Sequence, residues 1–191
     1  MIRPAGRTDR FHLRGLVPLL KELRAERLRS STLLGLHEDL CLFTIAAPRL
    51  ALVRDGRRLE SPVGVAAGPH TQLARNLVAA WLGGARWFEL KTVQTRDELD
   101  VARPCIDMTD AGFNCEWSQE LPLERSFAEY ADAWCAIRIL QHEAGVLDPA
   151  EPGFAFDLSV GYDLAGLRSA PMQRFFDRVA DARGELAARL D

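Results

Sequence analysis

Lys91 follows the run Arg86-Trp87-Phe88-Glu89-Leu90, so a strand read from RWFEL delivers an ammonium group at its carboxyl end. In parallel α/β architectures ligands sit at the carboxyl ends of strands, which makes a cation there conspicuous. Lys91 and Lys21 are the only lysines among 24 Lys and Arg residues. Ala and Gly are plentiful too, so genomic base bias accounts for the scarcity, but it makes Lys91 harder to dismiss as decoration. The plainer use of such a lysine is to reach solvent from a strand end. His70, beside Gly68-Pro69, is ordinarily a polar turn residue, and an acid/base role is the alternative. Asp107, Asp110 and Glu116 are acidic without nearby histidines and read as a solvated surface. Cys41, Cys105, Cys115 and Cys135 contain no CxxC pair and no histidine at zinc spacing, so we expect reduced, mostly buried thiols and no metal site.

One βα unit positions these residues. PVGVAA (62–67) is apolar on both faces, as in a parallel strand covered by helices. Gly68-Pro69 breaks it, and Thr71 is placed to cap the helix that follows. Leu73, Leu77, Val78, Trp81 and Leu82 recur at helical spacing until Gly83-Gly84 stop the helix. Upstream, RLALVRDGRRLESP holds two short alternating runs around Asp55-Gly56, the signature of a β-hairpin with a type I′ turn. Leu16, Leu19, Leu20 and Leu23 mark an N-terminal helix packed on the main domain.

After Lys91, residues 95–124 have no sustained period and many turn formers, which predicts a long functional or partner-pinned loop. Ser126 and Glu129 read as a capping box opening a helix with Phe127, Tyr130, Ala131, Trp134 and Ile137 on one face, ending near Gly145. FAFDLSVG is a third buried strand, and Pro171 starts a last helix carrying Met172, Phe175, Phe176, Val179 and Leu186. Trp81, Trp87, Trp117 and Trp134 are read as core packing. Right-handed crossovers make the three strands parallel. About 130 residues follow Pro62, roughly half of the ~250 that an eight-stranded barrel uses.

The chain has 191 residues, 48% hydrophobic and 27% charged, an ordinary globular composition. A net charge of −3 gives no case for nucleic acid or an anionic membrane as partner. The best apolar stretch, Leu42 to Val53, is interrupted by Pro48 and Arg49, so no signal peptide or transmembrane span is expected and the location is read as cytoplasmic.

The segments SPVGVAAGPHTQLARNLVAAWLGG, FELKTVQ, RPCIDMTDAGFNCEWS and FDLSVGYDLAGLRSAPMQRFFD resemble the start of the dihydroorotate dehydrogenase-like flavin barrels over roughly residues 60–180. The nearer likeness is to the N-terminal domain of the selenate reductase subunit family, multidomain flavoproteins of anaerobic redox metabolism. The resemblance implies FMN, with Ala66, Ala67, Gly68, Lys91 and Thr92 against the cofactor. Small residues at a strand end let a flat ring approach the main chain. Lys91 would stabilise negative charge on the reduced ring and reach the substrate. Asn114 would contact substrate, with an alignment that also allows Cys115 at that place; a loop-capping amide is its plainer role. In that superfamily the catalytic base follows the fourth strand and the phosphate loops follow strands seven and eight. FDLSVGY corresponds to the third strand, so no catalytic residue is assigned here and the phosphate site is expected to lie beyond Asp191.

The expected fold is therefore α/β: about three parallel strands of a partial TIM-barrel-like (βα) array, preceded by a β-hairpin and an N-terminal helical extension. Residues 1–49 form the extension and residues 50–191 the N-terminal portion of the barrel. The expected function is the N-terminal part of a flavin-dependent oxidoreductase acting on a small purine- or pyrimidine-type heterocycle. It would need a further segment, a partner chain or homo-oligomerisation to be complete. The alternative is a non-catalytic assembly subunit with a degenerate half-barrel.

Overall fold

Leu16, Leu19 and Leu23 fall three and four residues apart, so they line one stripe of α1 (Leu16–Ser30) and bury it. The computed structural model describes residues 13–45, 47–91, 93, 121–158, 160 and 163–190. Helix α1 stops where Ser31 turns left-handed at φ 53° and donates its N–H to the Arg27 carbonyl. A small hairpin not expected from the sequence follows, β1 (Thr32–Leu33) with β2 (Leu36–His37). The Glu26 carboxylate holds it by accepting from the Thr32 hydroxyl at 2.6 Å and the Gly35 N–H at 2.7 Å.

The Asp-Gly hairpin forms as expected from β3 (Leu52–Arg54) and β4 (Arg57–Leu59). Asp55 and Gly56 take φ of 51° and 75°, the two positive angles a type I′ turn requires. Past β4, the Glu60 N–H donates to the Gly153 carbonyl at 3.0 Å, which hooks the hairpin onto the approach to the third parallel strand. Gly153 is needed there: its φ is 76° and a Cβ would stand 2.9 Å from the Glu60 carboxyl carbon.

The strands β5 (Gly64–Val65), β6 (Trp87–Leu90) and β7 (Ala155–Leu158) then form one parallel sheet in that order, joined through α2 (Ala74–Leu82) and α3 (Leu123–Glu143). After β7 come α4 (Leu164–Leu167), α5 (Ala170–Ala180) and α6 (Arg183–Leu190). Among the described residues this is a partial TIM-barrel arrangement of three parallel strands that do not close into a barrel. Leu77, Val78, Trp81 and Leu82 of α2 lock against Phe88 of β6 and Ile137 of α3, all at 0–1% exposure.

Four local expectations fail, each for a physical reason. PVGVAA is not a long strand buried on both faces: β5 keeps two ladder residues and Val63 is 56% exposed, because among the described residues β5 pairs on one side only. Thr71 does not cap α2; its hydroxyl closes a tight turn on Gly68, accepting from the Gly68 N–H and donating to the Gly68 carbonyl. Ser126 and Glu129 do not form a capping box, because α3 already starts at Leu123 behind Pro122. The last helix is two helices, broken at Asp181, whose carboxylate takes the Arg183 N–H and guanidinium in a local pair that competes with helix.

What Glu129 does instead is cap α2 from outside, accepting the Ala74 N–H at 2.7 Å. Asp132, one turn on, accepts the backbone N–H of Leu16 at the start of α1 and pairs with Arg189 at 3.1 Å. One helix thus supplies carboxylates to the positive ends of two others. Burial pushes the Glu129 carboxyl above its ordinary 4.5, opposed by the Ala74 bond and reinforced by Asp132.

Arg86 has no exposed surface and sits just ahead of β6. Its Nε donates to Glu60 at 2.7 Å, Nη1 to the carbonyls of Trp81 and Ala85 at 2.8 and 2.9 Å, and Nη2 to the Leu42 carbonyl. Burial lowers its pKa, with the Glu60 bond and charge opposing. Arg86→Met strands a buried carboxylate and three carbonyls, and should lower unfolding free energy in urea by about 3–5 kcal/mol. A loss below about 1 kcal/mol would mean that desolvation cancels the network.

Glu129 gives a pH signature. The folded chain holds its proton above the unfolded value of 4.5, so this group's favourable contribution is full below 4.5 and falls as pH rises toward the raised folded value. Glu129→Gln should therefore gain stability relative to the parent as pH rises from about 4.5 to 7. Glu129→Ala, which orphans the Ala74 N–H, should lose about 1–3 kcal/mol below pH 4.5, a deficit that shrinks as pH rises but stays larger than that of the Gln variant. Equal denaturation midpoints for the Gln and Ala variants at neutral pH would rule the cap out.

Candidate functional site at the carboxyl ends of the parallel strands

Strand alternation divides β6 and β7 into two faces. Phe88, Leu90, Phe156 and Leu158 face the helices, where Phe88 meets Phe156 at 5.2 Å and Phe156 meets Trp134 of α3 at 5.8 Å between ring centroids. Trp87, Glu89 and Asp157 lie on the opposite, inner face, with Glu89 and Asp157 side by side in the ladder. One step past Leu90, the same alternation carries Lys91 to the inner face, at the strand's carboxyl end.

The hairpin covers the amino-terminal part of that face. Arg54 stacks on the Trp87 ring at 3.8 Å, Trp87 Nε1 donates to Asp157 at 2.5 Å, and Arg57 Nη2 donates to the same carboxylate at 2.6 Å. The cation, the indole and the carboxylate form one half-buried layer beneath the strand ends.

At the carboxyl end, β5 runs out into Ala66, Ala67 and Gly68. Ala66 is exposed and the other two are half-buried, and none of the three carries a side chain larger than methyl. The Ala67 N–H donates to Glu89 Oε2 at 3.3 Å and the Gly68 N–H to Thr71 Oγ1 at 3.1 Å. The exposed His70 folds its ring back against Gly68: a Cβ there would lie 2.8 Å from the imidazole Cε1. From behind, α3 braces the end of β6, and neighbouring contacts hold the turn and helix that follow β5. Tyr130 donates its hydroxyl to the Lys91 carbonyl at 2.8 Å, Glu129 caps α2, and Gln72 accepts the Leu121 N–H at 2.9 Å.

The structure therefore brings Ala66, Ala67, Gly68, His70 and Lys91 to one end of one sheet. Thr92, Asn114, Cys105, Cys115, Asp107, Asp110, Glu116 and Trp117 lie outside the described residues. Sequence reasoning missed Glu89, Asp157 and the Arg54–Trp87–Arg57 layer. The signal was present: polar residues at alternate positions of WFEL and AFDL, between apolar ones, are inward-facing positions of a sheet. Cys41 and Cys135 are free and buried, and burial pushes the Cys135 thiol up to about 11. Among the described residues no group of three or more His, Cys, Asp or Glu could hold a metal, and no helix is long and apolar enough to cross a membrane.

Small residues thus end one parallel strand and a lysine ends the next, at the same end of the sheet. Comparison with known proteins agrees with the barrel end of this description. Residues 39–188 match the family described as "Oxidoreductase YgfK, N-terminal TIM-barrel domain". Proteins named "Putative oxidoreductase YgfK" from Escherichia coli strain K12 and from Escherichia coli O157:H7 are each 48% identical over 129 residues, covering 66% of this chain. The aligned part is 12% of those relatives' own length, so the chain spans a small fraction of them. No solved structure matches. The chain belongs to the family of N-terminal TIM-barrel domains of the oxidoreductase YgfK.

Proposed function

We propose that this chain forms the flavin-facing edge of an FMN-dependent oxidoreductase that acts on a small purine- or pyrimidine-type heterocycle, in the manner of the dihydroorotate dehydrogenase-like and selenate reductase-type barrels. The observation that carries the proposal is the run of small residues Ala66–Gly68 at the end of one parallel strand, beside Lys91 at the end of the next. The residues present fit a flavin ring along Ala66 and Ala67, whose own side chains are no larger than methyl. At Gly68 the His70 imidazole lies against the main chain and would have to turn aside or stack on the ring. When bound, FMN would supply hydride or electron transfer to and from the heterocycle. Lys91 would offset negative charge at the ring's pyrimidine edge and hold substrate. Thr92 would join the cofactor contacts and Asn114 would contact substrate. No residue is assigned as catalytic base. The partner in this reading is a further segment or chain that adds βα units at the free strand edges. The buried free thiols Cys41 and Cys135 suit a reducing, cytoplasmic setting.

FMN added to the isotopically labelled chain tests this directly. The phosphate loops of the resembled barrels follow strands seven and eight, so binding to this chain alone should be weak, in the millimolar range. The backbone amide signals of Ala66, Ala67, Gly68 and Lys91 should shift together on titration. No shift at these amides at saturating solubility would overturn the flavin reading, and tight stoichiometric flavin on the purified chain would overturn the need for a completing segment.

The exposure of Val63 and the one-sided pairing of β5 also favour the second reading, an assembly subunit that uses its open edges without catalysis. Edge-driven assembly predicts a size-exclusion mass above that of a 21.3 kDa monomer, rising with concentration. A stable monomer at all concentrations rules out self-assembly through those edges.

A further inference from the structure

We infer that Glu89 is the positioning residue of this site: its side chain fastens the end of β5 to β6 and so sets the main chain that a flavin ring would meet. The inference rests on the flavin reading for its purpose, though not for its geometry. The ladder between β5 and β6 consists of Gly64 opposite Trp87 and Val65 opposite Phe88. Two pairs leave Ala66, Ala67 and Gly68 beyond the regular bonding of the sheet, at the place where a ligand edge must be held still. Glu89 lies on the inner face one residue beyond the last pair, and its Oε2 takes the Ala67 N–H at 3.3 Å. A carboxylate acceptor makes this a charge-assisted bond in a half-buried setting.

The neighbouring residues agree with that role. Asp157 stands next to Glu89 in the ladder, and two adjacent carboxylates repel. Arg57 of the hairpin at 2.6 Å and Trp87 Nε1 of β6 at 2.5 Å bind the Asp157 carboxylate, which offsets its charge beside Glu89. Gly68, next along, is held by Thr71 rather than by the sheet. With the Ala67 and Gly68 amides both committed inside the chain, a ring at this edge meets main-chain atoms other than those two donors. The edge is selective for a ligand that stacks or donates, rather than one that needs N–H groups from it. Lys91, two residues on along the same face, then supplies the positive charge.

Amide exchange and the FMN titration together test Glu89. In the unaltered chain the Ala67 amide should exchange more slowly than an open peptide; exchange at the free rate overturns the latch without any variant. In Glu89→Ala the Ala67 amide should exchange about tenfold faster, while those of Phe88 and Leu90 in the ladder keep their protection. The FMN-induced shifts at Ala66–Gly68 should weaken by a similar factor. Glu89→Gln, whose amide oxygen still accepts, should restore both. Unchanged Ala67 exchange in Glu89→Ala, or FMN shifts that keep their full strength in it, would overturn the role of Glu89. Absence of FMN shifts in the unaltered chain with a protected Ala67 amide would sink the flavin reading alone, leaving the latch in place.

Discussion

The buried guanidinium of Arg86 is the constraint on which the sheet depends. Taking a full positive charge out of water is costly, and only a complete set of acceptors in the right plane offsets it. Those acceptors come from three separate pieces of chain: Glu60 at the hairpin exit, Trp81 and Ala85 at the end of α2 and the turn into β6, and Leu42 in the segment that follows the N-terminal hairpin. The guanidinium fork is rigid, so satisfying all of them fixes where the three pieces meet. The indole of Trp81 lies 5.0 Å from the same cation, which closes the site against water. Strand β6 starts at this fixed point, and only four residues separate it from Lys91 at the other end.

From that anchor the inner face is built in layers, each handing position to the next. The hairpin reaches across through Arg54 and Arg57 to Trp87 and Asp157. Asp157 sits beside Glu89, and Glu89 reaches over to the end of β5. The outer face has a different chemistry, an aromatic cluster of Phe88, Phe154, Phe156 and Trp134 under α3. The same short strands therefore carry an apolar side that holds helices and a polar side whose side chains bond one another across elements.

Much of this was legible in the chain because the signals are local. Asp55-Gly56 needs only its own two residues to announce a type I′ turn, and the periodicity of Leu77, Val78, Trp81 and Leu82 needs only a helix. The parallel order follows from buried runs separated by helices. What local patterns misassigned were groups whose partners lie far along the chain. Ser126-x-x-Glu129 has the spacing of a capping box, yet Glu129 serves Ala74, 55 residues away. Arg86, on spacing alone, is an arginine before a strand; its acceptors include one 44 positions upstream. The end of β5 deceived in the other direction: PVGVAA is apolar enough for a buried strand, but burial requires neighbours on both sides.

That last point separates what is incomplete about this wall from what is finished. Charged groups on the inner face would be costly if left without partners, because a half-satisfied polar network is worse than an apolar one. Here the Asp157 carboxylate finds Arg57 and Trp87 within the chain, so the amino-terminal inner layer carries no debt to any further element. Exposure falls instead at Val63 and along the side of β5 that is unpaired among the described residues. A sheet with a satisfied face and open edges extends by adding strands beside it, without rebuilding the face it already has. The main chain at Ala67, Gly68 and Lys91 is likewise held by Glu89, Thr71 and Tyr130 of this same chain, so strands added beside the sheet would meet strand ends that these contacts already position.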